Sequence, residues 1–276
     1  MCLPVGLREL YRDGRLIPFI GAGVSRSVTW EVNGIEKHGP SWSELVDEAA
    51  RLLGFDRPDL LRVRGSDIQI LEYYKLKNYG HGRLRSWLDR TMQPPQDALQ
   101  NSVIHKSLIE LNRCKIIYTT NYDNYIERSF DFARRPYHVV ALEGHIKPYD
   151  EQCEIIKFHG DLDFEETMVL SESDYEKRLQ LRSPMDYRLR ADVLNRALIF
   201  IGYSFRDWNV AYLFRLVNDE FKDLPDSAYG HRAYIVVPDP SDFEMRLFRA
   251  RNIEVIPVSS ANITADIANI LTEIGR

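Results

Sequence analysis

Seven short apolar runs, at 16–20, 115–119, 138–141, 154–158, 197–202, 233–237 and 254–258, set the rhythm of this chain. They are rich in Ile, Val, Leu and aromatic residues, and most stop at small or polar residues, the mark of strands buried on both faces. Longer stretches of helical period lie between them. The alternation predicts an α/β fold, a doubly wound, mostly parallel Rossmann-like sheet. Ser41-Trp42-Ser43-Glu44 has the spacing of a capping box and opens a helix with Leu45, Ala49, Leu52 and Leu53 on one face. Near the C-terminal end, Ile263, Ile267, Ile270, Leu271 and Ile274 recur at helical spacing and predict a helix packed on the sheet.

Two intervals break the alternation. Between the first two strand runs, 41–53, 67–79, 82–91 and 102–112 all read as helices. That is too much for one strand-to-helix loop, which commonly takes ~2–6 residues. A helical module at about 30–112 is therefore expected as an insert in a single domain, with the sheet core at about 1–29 and 113–276. The second interval, about 162–195, is polar and reads as an irregular, lid-like segment, with Ser171-Glu172-Ser173-Asp174 as a helix start.

Composition narrows the function classes. With 44% hydrophobic and 28% charged residues the chain has the profile of a globular protein. A net charge of −5 argues against direct nucleic-acid binding, which needs clustered Lys and Arg. No apolar stretch has the length of a membrane span and the first residues lack a signal-peptide core, so no membrane contact and a cytoplasmic location are expected. Cys2, Cys114 and Cys153 form no C-x-x-C pair, and the seven histidines show no metal-ligand spacing, so no metal is expected.

Chemistry gathers at the strand ends. Gly21-Ala22-Gly23 follows the first run directly; glycines there let the backbone turn sharply and leave no Cβ between its N–H groups and a phosphate. Arg26 stands where the G-x-G-x-x-G fingerprint of hydride-transfer cofactors wants its last glycine, so this pyrophosphate cradle is of another kind. Three more strand runs end in Thr119-Thr120-Asn121-Tyr122-Asp123, His159-Gly160-Asp161 and Gly202-Tyr203-Ser204-Phe205-Arg206-Asp207. Taken singly, Asn121 or Asp123 suits a helix cap, His159 a turn, and Gly202 with Ser204 a tight turn and N-cap. Jointly, the four strand ends deliver polar groups to one crevice.

The ordered set GAGVS, TTNYD, HGD and GYSFRD, at about 16–210, resembles the sirtuin-type NAD-binding fold, in particular the sirtuin-like NAD hydrolases of bacterial antiviral defence. Gly39-Pro40-Ser41-Trp42-Ser43-Glu44-Leu45 is also similar to a segment those proteins carry after their glycine turn. The resemblance implies that NAD is the substrate and that Gly21, Ala22, Gly23 and Ser25 surround its pyrophosphate and neighbouring ribose. It places Asn121 and Asp123 near the nicotinamide ribose and carboxamide, Thr120 among the NAD-binding residues, His159 at the catalytic histidine, and Gly202 and Ser204 over the adenosine side, with Asp207 capping the next helix. Breaking the nicotinamide–ribose bond builds positive charge at the anomeric carbon. On this reading Asn121 positions water and ribose, His159 acts as general base or contacts a ribose hydroxyl, and Asp123 binds the carboxamide.

The chain departs from protein-deacylating sirtuins in two ways. No cysteine follows Cys153, so their four-cysteine zinc module is missing and 162–195 stands in its place; their Asp-Phe-Arg segment after the glycine turn is also absent. Both departures favour attack by water over an acyl-lysine acceptor. A protein deacylase or ADP-ribosyltransferase, and a non-catalytic NAD or ADP-ribose binding module, are the competing readings. An NAD hydrolase needs an off state. The sheet and last helix use the chain to Ile274, so control is expected from a homo-oligomer or a separate partner. Short members of the resembled family are encoded beside a HerA-type ATPase, and the aromatic insert residues Tyr73, Tyr74, Tyr79 and Trp87 offer either a contact surface or the insert's own core.

Overall fold

The computed structural model describes residues 3–147, 152–180, 182–203 and 233–276. Its main sheet is built from β1 (Leu16–Ile20), β4 (Ile116–Thr119), β5 (Tyr137–Val140), β6 (Cys153–Lys157), β7 (Ala197–Ile201), β8 (Ala233–Pro238) and β9 (Ile253–Val258). The strand order is β5-β6-β4-β1-β7-β8-β9, with every pairing parallel. All seven strand runs expected from the sequence are present. The chain leaves β1 towards β4 and later returns to β7 on the other side of β1, which puts the topological switch point at the C-terminal ends of β1, β4 and β7.

Alternation along each strand divides the core between the two faces. Leu16 and Ile20 of β1, with Ile117, Ile155, Ile199 and Ile201, face one layer of helices: α1 (Leu7–Arg12), α8 (Val103–Glu110), α9 (Tyr125–Phe132) and α13 (Ile263–Gly275). Ile17 and Phe19, with Tyr118, Phe158 and Phe200, face α11 (Pro184–Asn195) and α12 (Asp242–Arg249). Ile104, Leu108, Ile109 and Leu111, which the sequence groups with the insert, pack in the sheet's own core.

Most of the rest of the insert packs on itself and on residues 162–170, while Leu99 packs with Val28 and Tyr125. Capping boxes open α3 (Trp42–Leu52) at Ser41 and α5 (Asp67–Asn78) at Ser66, and α6 (Gly82–Thr91) follows. Leu45, Val46, Ala49, Leu71, Tyr74, Leu84 and Leu88 share one cluster with Leu162, Met168 and Leu170. Two short helices between and after these, α4 (Pro58–Arg62) and α7 (Gln96–Gln100), lie where the sequence reading placed none, as does α1. Of the insert aromatics, Tyr74 is core and Trp87 packs against it, whereas Tyr79 is fully exposed.

Two expectations need correction. The glycine turn is followed by a short helix, α2 (Ala22–Arg26), and then by an antiparallel hairpin, β2 (Thr29–Val32) and β3 (Ile35–His38), where a helical module was expected to begin. Asn33 and Gly34 both take positive φ, as the tight hairpin turn requires. The 162–195 interval is not irregular: α10 (Glu172–Leu179) starts at the Ser171–Asp174 capping box, and α11 at a second one, Ser183–Asp186. A proline at the first helical position of α11 reinforces that start.

Gly160 joins the histidine turn to this segment. Its φ is +94°, and a Cβ there would lie 2.3 Å from the Thr167 carbonyl oxygen. Gly160→Ala is therefore expected to cost ~2 kcal/mol or more from strain and backbone displacement, read as a lower urea midpoint.

A crevice at the switch point

The turns after β1 and β7 are packed backbone on backbone. Gly21 N–H donates to Ile201 O at 2.8 Å and Gly23 N–H to Gly202 O at 2.8 Å, while Val24 N–H turns back to Gly21 O at 3.0 Å. A Cβ on Gly21 would lie 2.8 Å from Gly202 O, and one on Gly202, whose φ is +80°, would lie 2.7 Å from Val24 N. These glycines are required by the contact between the two turns. The N–H groups of Gly21 and Gly23, expected to cradle a phosphate, are spent on β7.

The end of β4 carries the most tightly specified side chain. Asn121 Nδ2 donates to Gly21 O at 3.1 Å and to Ser25 Oγ at 2.8 Å. Ser25 Oγ donates in turn to Asp123 Oδ2 at 2.7 Å. A carbonyl oxygen only accepts, so the NH2 must face Gly21, and the amide orientation is fixed by the network. The consequence is that Asn121 Oδ1 is buried with no hydrogen-bond partner. A buried acceptor left in that state costs ~1–3 kcal/mol, so it marks a place for a ligand atom or water.

Asp123 is committed differently. Its Oδ1 accepts the Tyr125 N–H at 3.0 Å, which ties it to the start of α9, and Oδ2 holds Ser25. The N-cap of α9 is Asn124, so Asp123 makes a side-chain turn just ahead of the helix, and its placement makes it a positioning group for Ser25 and, through Ser25, for Asn121. Thr120 Oγ1 lies 3.0 Å from Tyr203 Oη, which donates to Ile20 O at 3.0 Å, so Thr120 links the β4 end to the β7 turn. Ser204 and Asp207 lie outside the described residues.

His159 ends β6, level with Asn121 when the Thr119–Lys157 register is continued by two residues. It is 1% exposed, its ring stacked on Phe158 and met edge-on by Tyr175, and neither ring nitrogen has a hydrogen-bond partner. Burial, aided by the Arg178 charge, holds its pKa well below the usual histidine range, so the ring is neutral. Arg178 also donates to Phe158 O and lies over the Phe158 ring, and it is itself anchored by Ser183 and Asp186. Tyr175 and Arg178, both on α10, thus pack around the histidine turn.

A second buried histidine, His105, bonds Ser102 Oγ through Nδ1 and is pushed down to about 4 by burial. Both folded-state shifts are downward, so the unfolded chain binds more protons below pH 6.5. Stability is expected to be full above that pH and to fall as pH drops, by up to ~1.4 kcal/mol per pH unit and per histidine until the folded pKa is reached. Urea midpoints at pH 7 and pH 5 check this, and His105→Gln is expected to flatten part of the slope.

Lys157 was not singled out in the sequence, although a lysine inside Ile155-Ile156-Lys157-Phe158 is the signal of a buried charge. It is fully buried and donates to Asp123 O, to Glu127 Oε1 at 3.1 Å and to Asp161 Oδ2 at 3.2 Å. Burial works against the ammonium, but Glu127, Asp161 and Asp123 outweigh it and raise its pKa. One cation thereby ties the Asn121–Asp123 loop to the His159–Asp161 turn.

Two cavities meet at α2. The smaller, about 80 Å³, is lined by Ser25, Thr120, Asn121 and Asp123 on its polar side and by Trp42, Leu88 and Met92 opposite. The larger, about 380 Å³, runs past Gly202 and Tyr203 to Val236, Pro238, Val258 and Ile267. Ala22, Arg26, Pro40, Ser41 and Trp42 line both. His159 lines neither, so the described crevice brings Asn121, Asp123, Thr120, Ser25 and the glycine turn together and leaves His159 behind the wall. Among the described residues, no group of three or more His, Cys, Asp or Glu side chains is placed to hold a metal ion, and no helix is long and apolar enough to cross a membrane.

The model of the SIR2-like domain family matches residues 115–256, just over half of the chain. The chain is 27% identical over 280 residues to a protein named NAD(+) hydrolase ThsA from Bacillus cereus (strain MSX-D12), covering 97% of this chain and 53% of that protein. It is 26% identical over 250 residues to Defense-associated sirtuin 2 from Bacillus subtilis, covering 86% of this chain and 22% of that one. For NAD(+) hydrolase ThsA from Enterococcus faecium the identity is 29% over 206 residues, covering 73% and 40%. The chain thus spans about half the length, or less, of these curated relatives. A solved chain described under the structural basis for the mechanism and regulation of Sir2 enzymes aligns with 99% of this chain and 98% of its own, at 13% identity and a TM-score of 0.46. The fold assignment rests on the strand order and not on that likeness.

Proposed function

The chain belongs to the SIR2-like domain family, and from that premise we propose that it hydrolyses NAD to nicotinamide and ADP-ribose. The observation that carries the proposal is the unspent hydrogen-bonding capacity at the switch point. Asn121 Oδ1 and both nitrogens of His159 are buried and unpartnered just beyond the ends of the neighbouring strands β4 and β6. The names of the relatives support the same substrate.

NAD lies across both cavities, with adenosine against the apolar wall of Val236, Pro238 and Ile267 and the nicotinamide ribose at Asn121. The smaller cavity, about 80 Å³, is tight for a nicotinamide ribose, so its Trp42 and Met92 lining shifts as the nicotinamide enters. As the glycosidic bond breaks, positive charge grows on the ribose carbon. Asn121 Oδ1 orients the attacking water and turns the negative end of a fixed dipole towards that charge. His159, neutral and without a partner, lines neither cavity, so it accepts the proton given up by the water or by a ribose hydroxyl only once NAD binding opens the wall between them. No acyl-lysine acceptor takes part.

Such an enzyme drains a cofactor its cell needs, so we place it in the cytoplasm as a regulated effector of antiphage defence. A homo-oligomer or a separate partner, with a HerA-type ATPase as the family-level candidate, supplies the off state. The test is purified protein with NAD alone and with that ATPase. Nicotinamide and ADP-ribose are expected in equal amounts in at least one mixture; turnover only when an acylated peptide is added contradicts the proposal.

A further inference from the structure

Resting on the reading of NAD across this crevice, we propose that Arg26 is the side chain that binds the dinucleotide's pyrophosphate and that Glu44 is its built-in competitor. Three observations carry it. First, Arg26 lines both cavities, at the wall they share, where the link between the two halves of a dinucleotide must pass. Among the described residues lining the two cavities it is the only cation, and Asp123 is the only other charged one. Second, the N–H groups of Gly21 and Gly23 are already donated to Ile201 O and Gly202 O, so the glycine turn leaves most of the neutralisation of two phosphate charges to a side chain.

Third, Arg26 is held loosely. Its Nη1 reaches Glu44 Oε2 at 3.4 Å, with the two side chains 45% and 50% exposed. That one oxygen also accepts Ser41 N–H at 2.7 Å and Ser41 Oγ–H at 2.6 Å, in the capping box of α3. The guanidinium is therefore the third and most distant donor on an oxygen already served. A pyrophosphate offers it two oxygens in the fork geometry it prefers, without taking anything from the cap. Glu44 can release Arg26 and keep both bonds to Ser41, so α3 stays capped when the ligand arrives.

The two side chains then have opposite effects on binding, whereas a mere surface salt bridge makes both variants act alike. The probe is ADP-ribose, which carries the pyrophosphate and is not turned over, titrated by calorimetry into the wild-type, Arg26→Met and Glu44→Gln proteins. Arg26→Met is expected to weaken binding about tenfold, the loss of a charge-assisted hydrogen-bond pair. Glu44→Gln, which keeps an acceptor for the cap, is expected to tighten it by about threefold. An unchanged Kd in Arg26→Met, or weakening of similar size in both variants, overturns the role of Arg26 and leaves the crevice as the NAD site. Absence of ADP-ribose binding to the wild-type protein overturns the NAD reading itself, and this assignment with it.

Discussion

Asn121→Ala is expected to lower nicotinamide release from NAD by ~10²–10³-fold, the range seen when one preorganised dipole is removed from a reacting centre. The expectation follows from geometry. Gly21 O and Ser25 Oγ fix the amide from one side, so the opposite oxygen is delivered to the cavity with no freedom to turn away. Losing those two bonds is also expected to cost ~1–2 kcal/mol of stability, so the assay is run where the variant is folded, as judged by its urea midpoint. Asn121→Asp is expected to be no better: it cannot donate to Gly21 O and adds a carboxylate beside Asp123. A variant that is folded and keeps wild-type turnover removes Asn121 from the mechanism.

The largest effect on stability is expected at Lys157. Lys157→Met leaves Glu127 and Asp161, both nearly buried, without their shared cation and frees Asp123 O. Breaking such a buried pair costs ~3–5 kcal/mol, a large part of the ~5–15 kcal/mol that holds a domain together. Two controls separate charge from packing. The double variant Lys157→Met with Glu127→Gln is expected to recover part of the loss, and the single variant is expected to regain ground at lower pH as the stranded carboxylates protonate. Equal urea midpoints for wild type and Lys157→Met contradict this account of the site's scaffold.

The sheet was legible because most of its strands are apolar runs bounded by polar or glycine residues. Leu16–Ile20 runs into Gly21, and Ala197–Ile201 into Gly202, with no ambiguity of period. The hairpin at Thr29–Val32 and Ile35–His38 was not, because its strands are largely exposed and alternate weakly. Its signal, Asn33-Gly34 between two β-branched or aromatic runs, was there to be read. Likewise α8 looked like part of the insert by sequence position, and only packing shows Ile104 and Leu108 to be sheet core.

At the site, residue types were legible and roles were not. Position at a strand end singles out Asn121, Asp123 and His159 as candidates, and of these the switch-point cavities gather Asn121 and Asp123 and not His159. What each does depends on partners distant in sequence: Ser25 on Asp123, Lys157 under Asp123, Arg178 against Phe158. The glycines have the pattern of a phosphate cradle in the sequence, and in the fold their closest approach is to Gly202. Arg26, which in the sequence only breaks a fingerprint, sits on the wall both cavities share.

The most direct test of the account is the structure of Asn121→Ala with NAD bound. The dinucleotide is expected intact across the switch point, its nicotinamide ribose beside position 121, its pyrophosphate beside Ala22 and Arg26, and its adenine against Pro238 and Ile267. NAD bound away from the ends of β1, β4 and β7, or lying in the reverse direction, contradicts it.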